Sequence, residues 1–327
     1  MNEAKIRQRW YGGGHVGWFA RLVSKLFASL VAFRRTLFGW KILKTHQLKV
    51  PVVVVGNITA GGGGKTPFVI WLALHLQSQG FKPGIVSRGY GGKRKVEPMF
   101  VTPNANPVAS GDEALLMAQK TKLPVVVGKN RVKAAQTLIK QYHCNVIISD
   151  DGLQHYALGR DVEFVMLDAN WKTGNGQMIP AGPLREPIER LQLVDLVIHK
   201  GAVEEGCFYD YKIDGIYQLN HPGVVRPLAE FRSQKILAMA GIANPESFFR
   251  LLSSAGFAIV KKPLPDHHEI QASDFPEASE MPVIITEKDA VKCQDLDLPH
   301  VWVVKLGVDV PTPTLEALNK ALEEKLS

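Results

Sequence analysis

Four consecutive valines, Val52–Val55, lead through Gly56 toward the run Gly61-Gly62-Gly63-Gly64-Lys65-Thr66. A compact β-branched run reads as a buried strand, and the segment from Thr66 to Gln79 reads as a helix stopped by Gly80. In this strand–turn–helix order, glycines let backbone N–H groups turn inward around phosphate oxygens. The helix N-terminus adds the positive end of its dipole. Lys65 is then placed to reach the β- and γ-phosphates of a nucleoside triphosphate, and the Thr66 hydroxyl to ligate Mg2+. The spacing G-x-x-x-x-G-K-[ST] puts a glycine where this chain has Thr59. A chance glycine-rich turn is the plain alternative.

Beyond this loop, apolar runs alternate with helical segments. Strands are expected at 84–87, 124–127, 146–148, 164–167 and 196–198, and helices at 112–121 and 132–142. Continuous apolar strands separated by helices indicate a parallel sheet covered on both faces. A more polar segment, 201–232, precedes a second stretch with strands at 236–240, 283–285 and 301–304 and a helix at 245–255. The expectation is an α/β fold: a P-loop NTPase-like parallel sheet covered by helices, with a smaller α/β C-terminal subdomain. The boundaries drawn are 1–45 for an N-terminal helical unit, 46–232 for the nucleotide core and 233–327 for a subdomain closing over the cleft. The strand 146–148 delivers Asp150 and Asp151 to the carboxyl edge of the sheet, where open α/β folds bind ligands. One of the two would hold Mg2+ directly or through water. Asp151-Gly152 as a solvated turn is the alternative.

The N-terminal segment is amphipathic. Phe19, Leu22, Val23, Leu26, Phe27, Leu30, Phe33 and Leu37 follow the three-four rhythm of a helix, with Arg21, Ser24, Lys25, Ser29 and Arg35 on the other side. Lys25 and Arg34 bracket an uncharged stretch far shorter than the roughly 20 apolar residues a spanning helix needs. The pattern fits a basic helix lying in a membrane interface, with Trp18, Phe19, Phe27 and Trp40 at the headgroup boundary; packing on the protein's own core is the other reading. A net charge of +8 favours an anionic partner: nucleic acid, a phosphorylated substrate or an anionic lipid surface. No nucleic-acid-binding module is present in the sequence. Three cysteines far apart give neither a zinc knuckle nor a disulfide framework.

With these features in place, the chain resembles the tetraacyldisaccharide 4′-kinases of lipid A biosynthesis over nearly its whole length. The resemblance is carried by Gly56-Asn57-Ile58-Thr59 leading into Gly61–Pro67, by Ser87-Arg88-Gly89-Tyr90-Gly91 and by Gly111-Asp112-Glu113-Ala114. It continues through Val127–Arg131, Asp150-Asp151-Gly152-Leu153-Gln154-His155, Pro180–Glu186, Pro265-Asp266-His267-His268 and Thr286–Ala290. The displaced first glycine, Thr59, is a feature of the family loop. Gly63 stands where the family commonly has Thr, and Leu153 where it has Phe. The resemblance implies transfer of the ATP γ-phosphoryl group to the 4′-hydroxyl of a tetraacylated glucosamine disaccharide 1-phosphate. It also implies work at the cytoplasmic face of a Gram-negative inner membrane, against an anionic lipid surface and with no nucleic-acid partner. The oligomeric state is left open.

Asn57, Thr59, Ala60, Gly61, Gly62, Gly63, Gly64, Lys65, Thr66 and Pro67 are expected around the nucleotide, and Thr66, Asp150 and Asp151 around Mg2+. A sugar hydroxyl ionises far above neutral pH, so a group must accept its proton. The resemblance places Asp112 in that position, with His267 of the smaller subdomain pairing with it, although His268 stands next to it. From the residues alone, Asp112 also fits a helix N-cap after Ser110-Gly111. Arg88, Lys129 and Arg131 follow strands on the same presumed edge and would clamp the substrate phosphate or the transferring group; solvated surface cations are the alternative. Tyr90 is expected to pack on sugar or lipid, or else in the core, and Glu186 to add a carboxylate. Thr286-Glu287-Lys288-Asp289 faintly resembles a base-recognition loop, with a strand-end turn as the default. A membrane-associated P-loop switch or metallochaperone NTPase is the competing functional class. Such proteins often carry an additional lysine early in the loop, and positions 59–64 contain none.

Overall fold

The structure, a computed structural model, describes residues 3–61, 64–276 and 281–326. Two helices, α1 (Glu3–Tyr11) and α2 (Trp18–Gly39), precede the sheet. The first half holds β1 (Val52–Gly56), α3 (Lys65–Ser78), β2 (Pro83–Ser87), β3 (Met99–Phe100), α4 (Pro107–Ser110), α5 (Asp112–Thr121), β4 (Val125–Val127), α6 (Arg131–Tyr142), β5 (Val146–Asp150), β6 (Val162–Asp168) and β7 (Leu196–Lys200). Then come β8 (Cys207–Gln218), β9 (His221–Arg226), α7 (Ala229–Arg232), β10 (Lys235–Ala240), α8 (Pro245–Ser254), β11 (Ala258–Pro263), β12 (Val283–Thr286), α9 (Glu287–Ala290), β13 (Val301–Asp309) and α10 (Thr312–Leu326). Among the described residues the strands form one sheet in the order β11-β10-β12-β13-β8-β7-β6-β1-β5-β2-β4-β3, with β9 paired on β8.

The first half is parallel from β4 through β2, β5, β1 and β6 to β7, as continuous apolar strands require. Successive residues of a strand face opposite sides, so the valine run feeds two cores. Val53 and Val55 pack with Phe68, Leu72 and Leu76 of α3 and Leu115 of α5. Val52 and Val54 pack with Val132, Ala135 and Leu138 of α6. The segment 201–232, read from sequence as a polar separation, carries β8 and β9 instead. The start of β8 pairs parallel with β7 and its remainder antiparallel with β13, so it joins the two halves into one sheet. Its residues alternate between buried and solvated, which makes it look polar in sequence. After β13 the chain returns: Leu318 and Leu322 of α10, expected with the second unit, lie in the core of the first half.

Helix α2 packs one face on the body and leaves an apolar face exposed. Ser24, assigned to the polar face, is buried and donates to the Met178 carbonyl at 2.7 Å. Phe27, Ala28 and Val31 pack beside it on the cluster around Ile58 and Val165. Phe19, Leu22, Leu26, Leu30 and Phe33, spaced three and four apart, stand 57–65 % exposed as a separate apolar stripe. Among the described residues no helix is long and apolar enough to cross a membrane.

Candidate active site

The carboxyl ends of β2, β5 and β7 and the loops that follow β1 and β4 open onto a cleft of about 1550 Å3. Its lining takes in Gly61, Gly64, Lys65 and Thr66, Arg88 and Tyr90, Lys129 and Arg131, Asp150 and Asp151, Arg185 and Glu186. The opposite wall comes from the second half, with Asn244 at the N-cap of α8, Phe248 within it, Asp266, Lys288 and Leu306.

The glycine-rich loop is fixed at both ends. Asn57 and Thr59 are buried, and the Asn57 carbonyl oxygen Oδ1 accepts from the Thr59 backbone N–H (2.8 Å) and hydroxyl (2.9 Å). The Ala60 N–H donates to the Pro183 carbonyl (2.7 Å) and Arg185 N–H to that of Ile58 (2.6 Å), which lays the Pro180–Glu186 loop along it. At the other end Gly64 is left-handed, with φ +74°, and its carbonyl accepts from the Tyr209 hydroxyl at 2.9 Å. A Cβ on Gly64 would meet the Tyr209 hydroxyl at 2.4 Å. Lys65 and Thr66 open α3, and Pro67 follows in its first turn. Gly62 and Gly63 lie outside the described residues.

Lys65 and the aspartate pair share one electrostatic system. Lys65 Nζ lies 3.2 Å from Asp151 Oδ1, and Arg185 lies 3.2 Å from Oδ2. Arg131, buried, donates to the Asp151 carbonyl at 2.6 Å. Burial pushes the Asp151 carboxyl up, but Lys65, Arg185 and Arg131 together hold it well below the usual range. Asp150 behaves oppositely. It is 2 % exposed, and burial, reinforced by Glu113 and Asp151, pushes it up to about 7 against the pull of Lys65 and Ser87. Ser87 donates to its Oδ2 at 2.8 Å, while Oδ1 is buried without a hydrogen-bond partner. A buried carboxylate oxygen with no partner beside the phosphate loop is what a divalent cation would satisfy. Among the described residues no cluster of three or more His, Cys, Asp or Glu could hold an ion alone.

Asp112 is the first residue of α5, and the cap is Gly111 (φ +85°), not Asp112. Its Oδ2 lies 3.1 Å from His267 Nδ1, across 155 positions of sequence. The neighbouring His268 instead meets Asp274 at 3.0 Å, so His267 is the partner. Burial raises the Asp112 carboxyl, but the His267 hydrogen bond, Lys292 and Lys288 outweigh it and leave it below the ordinary value. Tyr90, 68 % exposed and not in the core, places its ring 5.3 Å from that of His267. Asp112 and His267 are not themselves part of the cleft lining, whereas Tyr90, Glu113 and Asp266 around them are. Arg88 and Lys129 are exposed on the cleft wall. Glu186 is buried; Tyr156 donates to its Oε1 at 2.9 Å and Oε2 has no partner, so burial raises its carboxyl. Thr286 caps α9, Asp289 accepts from the Gly241 N–H and the Thr286 hydroxyl, and Thr286, Glu287 and Lys288 line the cleft.

Several cleft groups have no role assigned from the sequence, although His155 and Lys288 stand within the motifs quoted above. Lys200, at the end of β7, pairs with Asp168 at the end of β6 (3.0 Å) and stands over the Tyr211 ring. The strand-end rule that found Asp150 applies equally to Lys200. His155 lines the cleft with Nε2 unpartnered, and burial with Arg131, Arg160, Arg34 and Arg88 pushes it down to about 4. Lys288 bridges Glu113 (3.1 Å) and Asp266 (3.4 Å), a pairing across the halves that spacing does not reveal.

The family model for tetraacyldisaccharide-1-P 4′-kinase (LpxK) matches residues 16–326. A tetraacyldisaccharide 4′-kinase of Nitrosococcus oceani is 43 % identical, covering 98 % of this chain and 96 % of its own. One of Methylobacillus flagellatus is 42 % identical over 98 % and 94 %. Among solved structures, LpxK from Aquifex aeolicus in complex with ATP superposes with a TM-score of 0.76 at 27 % identity, covering 93 % of this chain and 98 % of that one.

Proposed function

Because the chain belongs to the tetraacyldisaccharide-1-P 4′-kinase family, we propose that it moves the γ-phosphoryl group of ATP to the 4′-hydroxyl of a tetraacylated glucosamine disaccharide 1-phosphate, with Asp112 as general base. The observation that carries the assignment is the Asp112–His267 contact of 3.1 Å, made between the two halves of the chain directly behind Tyr90, Glu113 and Asp266 of the cleft lining. His267 orients the carboxylate, and the low proton affinity of Asp112 keeps it ionised at neutral pH, ready to accept the hydroxyl proton. Lys65, Thr66 and the loop from Asn57 to Pro67 bind the nucleotide phosphates. Lys65, held by Asp151, faces the bridging charge that develops as the β–γ bond breaks. Mg2+, with Thr66, Asp150 and Asp151 as its candidate ligands, supplies charge neutralisation on the phosphates when bound. Arg88, Tyr90, Arg131 and Glu186 contact the sugar and its phosphate.

The exposed stripe of α2 suits a substrate that resides in a bilayer. Leu30 belongs to that stripe and also lines the cleft, with Phe27, Val31 and Arg34. The stripe would enter the interface of the cytoplasmic leaflet of the inner membrane, and the cations of the N-terminal segment would meet anionic headgroups.

The test is phosphate transfer from labelled ATP to the disaccharide lipid by the purified protein and by Asp112→Asn. Turnover should fall by about 10²–10⁴ in the variant, while ATP affinity stays within about threefold. Parent-like turnover in Asp112→Asn would remove Asp112 from the mechanism; no lipid phosphorylation by the parent would remove the reaction.

A further inference from the structure

Lys292, two residues past the end of α9, is 7 % exposed at its side chain. Its ammonium lies 2.9 Å from Asp289 Oδ1, 3.2 Å from the Gly241 carbonyl and 3.8 Å from Asp112 Oδ2. We propose that Lys292 is a positioning residue for the Asp112 carboxylate, holding it from the second half of the molecule together with His267. The proposal rests on the reading of Asp112 as the general base.

The ammonium does not wander. Asp289 is 1 % exposed, and its Oδ2 accepts from the Gly241 N–H (3.0 Å) and the Thr286 hydroxyl (2.7 Å), so the carboxylate that anchors Lys292 is itself fixed by backbone and cap. A lysine needed only to tie the halves together would be redundant here. Lys120 of α5 already pairs with Glu287 at 2.5 Å, and Lys288 with Glu113 at 3.1 Å. Lys292 and His267 both approach Oδ2 of Asp112, and no hydrogen bond among the described residues uses Oδ1. That division reserves Oδ1 for an incoming proton while the positive charge beyond Oδ2 keeps the carboxylate ionised. The groups facing Asp112 are Glu113 on its own helix, Asp266 and His267 after β11, Lys288 and Lys292 from α9 and its end, and the Tyr90 ring beside His267. The two lysines and the histidine oppose three carboxylates: Glu113 and Asp266 meet Lys288, Asp266 also lies 3.7 Å from His267 Nε2, and Asp289 lies 2.9 Å from Lys292.

The consequence is read in the pH dependence of kcat at saturating Mg-ATP and lipid, where the limb belongs to the complex rather than the free enzyme. In Lys292→Met the acidic limb should move up by about 1–2 pH units, with the ATP KM within about twofold of the parent. Lys292→Arg, which keeps the charge, should bring the limb back. Where Lys292→Met fails to fold because Asp289 is left unpaired, the double variant Lys292→Met/Asp289→Asn removes both charges and should shift the limb in the same direction by a smaller amount, because the more distant Asp289 charge is lost with the nearer ammonium. An unmoved limb in either folded variant overturns the proposal. Asp112→Asn, run in parallel, separates the two ideas. A dead Asp112→Asn with an unmoved limb in Lys292→Met removes Lys292 alone; parent-like turnover in Asp112→Asn removes the base assignment and the proposal with it.

Discussion

Replacing Asp150 by asparagine should stabilise the metal-free protein while abolishing its activity. Asp150 is buried, its Oδ1 lacks a partner, and its carboxyl is pushed from 3.8 to about 7. The unfolded chain therefore releases this proton near pH 4, whereas the folded protein keeps it until about pH 7. Over that window the folded state binds more protons, so its stability falls as pH rises. Some three pH units at about 1.4 kcal/mol each put the cost on the order of 4 kcal/mol by neutral pH. Asparagine carries no charge and can still accept from Ser87, so it should recover much of this. At about 2 cal/mol/K of unfolding entropy per residue, a chain of 327 residues gains about 1.5 °C per kcal/mol. The variant should then melt about 3–6 °C above the parent at pH 7.5 without Mg2+ and level with it near pH 4. Following the difference between the two proteins by calorimetry isolates Asp150 from the other titrating groups. Added Mg2+ should raise the parent's melting temperature and leave that of Asp150→Asn where it was. A difference that stays flat between pH 4 and 7.5, or a variant that answers Mg2+ as the parent does, would refute the reasoning.

Gly64→Ala forces a side chain into a left-handed position, at about 1–2 kcal/mol, and puts Cβ 2.4 Å from the Tyr209 hydroxyl. ATP KM should rise at least about tenfold, whereas Gly61→Ala, with nothing within 4 Å of its Cβ, should change it less; equal effects would show that loop strain alone decides. In α2, Leu26→Ser with Phe33→Ser removes two exposed side chains, each worth about 1–2 kcal/mol on entering an apolar phase. Binding to anionic liposomes should weaken about tenfold or more with the melting temperature unchanged, and undiminished flotation would exclude this stripe as the contact.

The parts of the molecule legible in the sequence are those where one local rule decides. Val52–Val55 is apolar at every position because β1 is covered on both faces, and Asp150 follows an apolar strand because such strands end at the ligand edge. Legibility stops where a residue's role is set by something far along the chain. The eight apolar positions of α2 give one three-four pattern, yet the body takes Val31, Phe27 and Ser24 and leaves Phe19, Leu22, Leu26, Leu30 and Phe33 outside. Periodicity fixes the helix but not how far it is rotated against its support. In β8 the alternation puts Asp210, Lys212 and Asp214 on the solvated face between Tyr209, Tyr211 and Ile213, so the join between the halves reads in sequence as a polar separation. The pairing of Asp112 with His267 follows from family resemblance alone, because no spacing rule connects positions 155 apart. Lys292 had no such aid. It stands three residues after Asp289, a separation that on a helix surface reads as an ordinary exposed ion pair worth a few tenths of a kcal/mol. Burial against the first half changes its meaning, since an ammonium with so little water must direct its charge at the nearest carboxylates, and one of those is Asp112. The phosphate loop and the aspartates of the cleft are thus written on the first half, while the cations that keep the proposed base, Asp112, ionised come from the second.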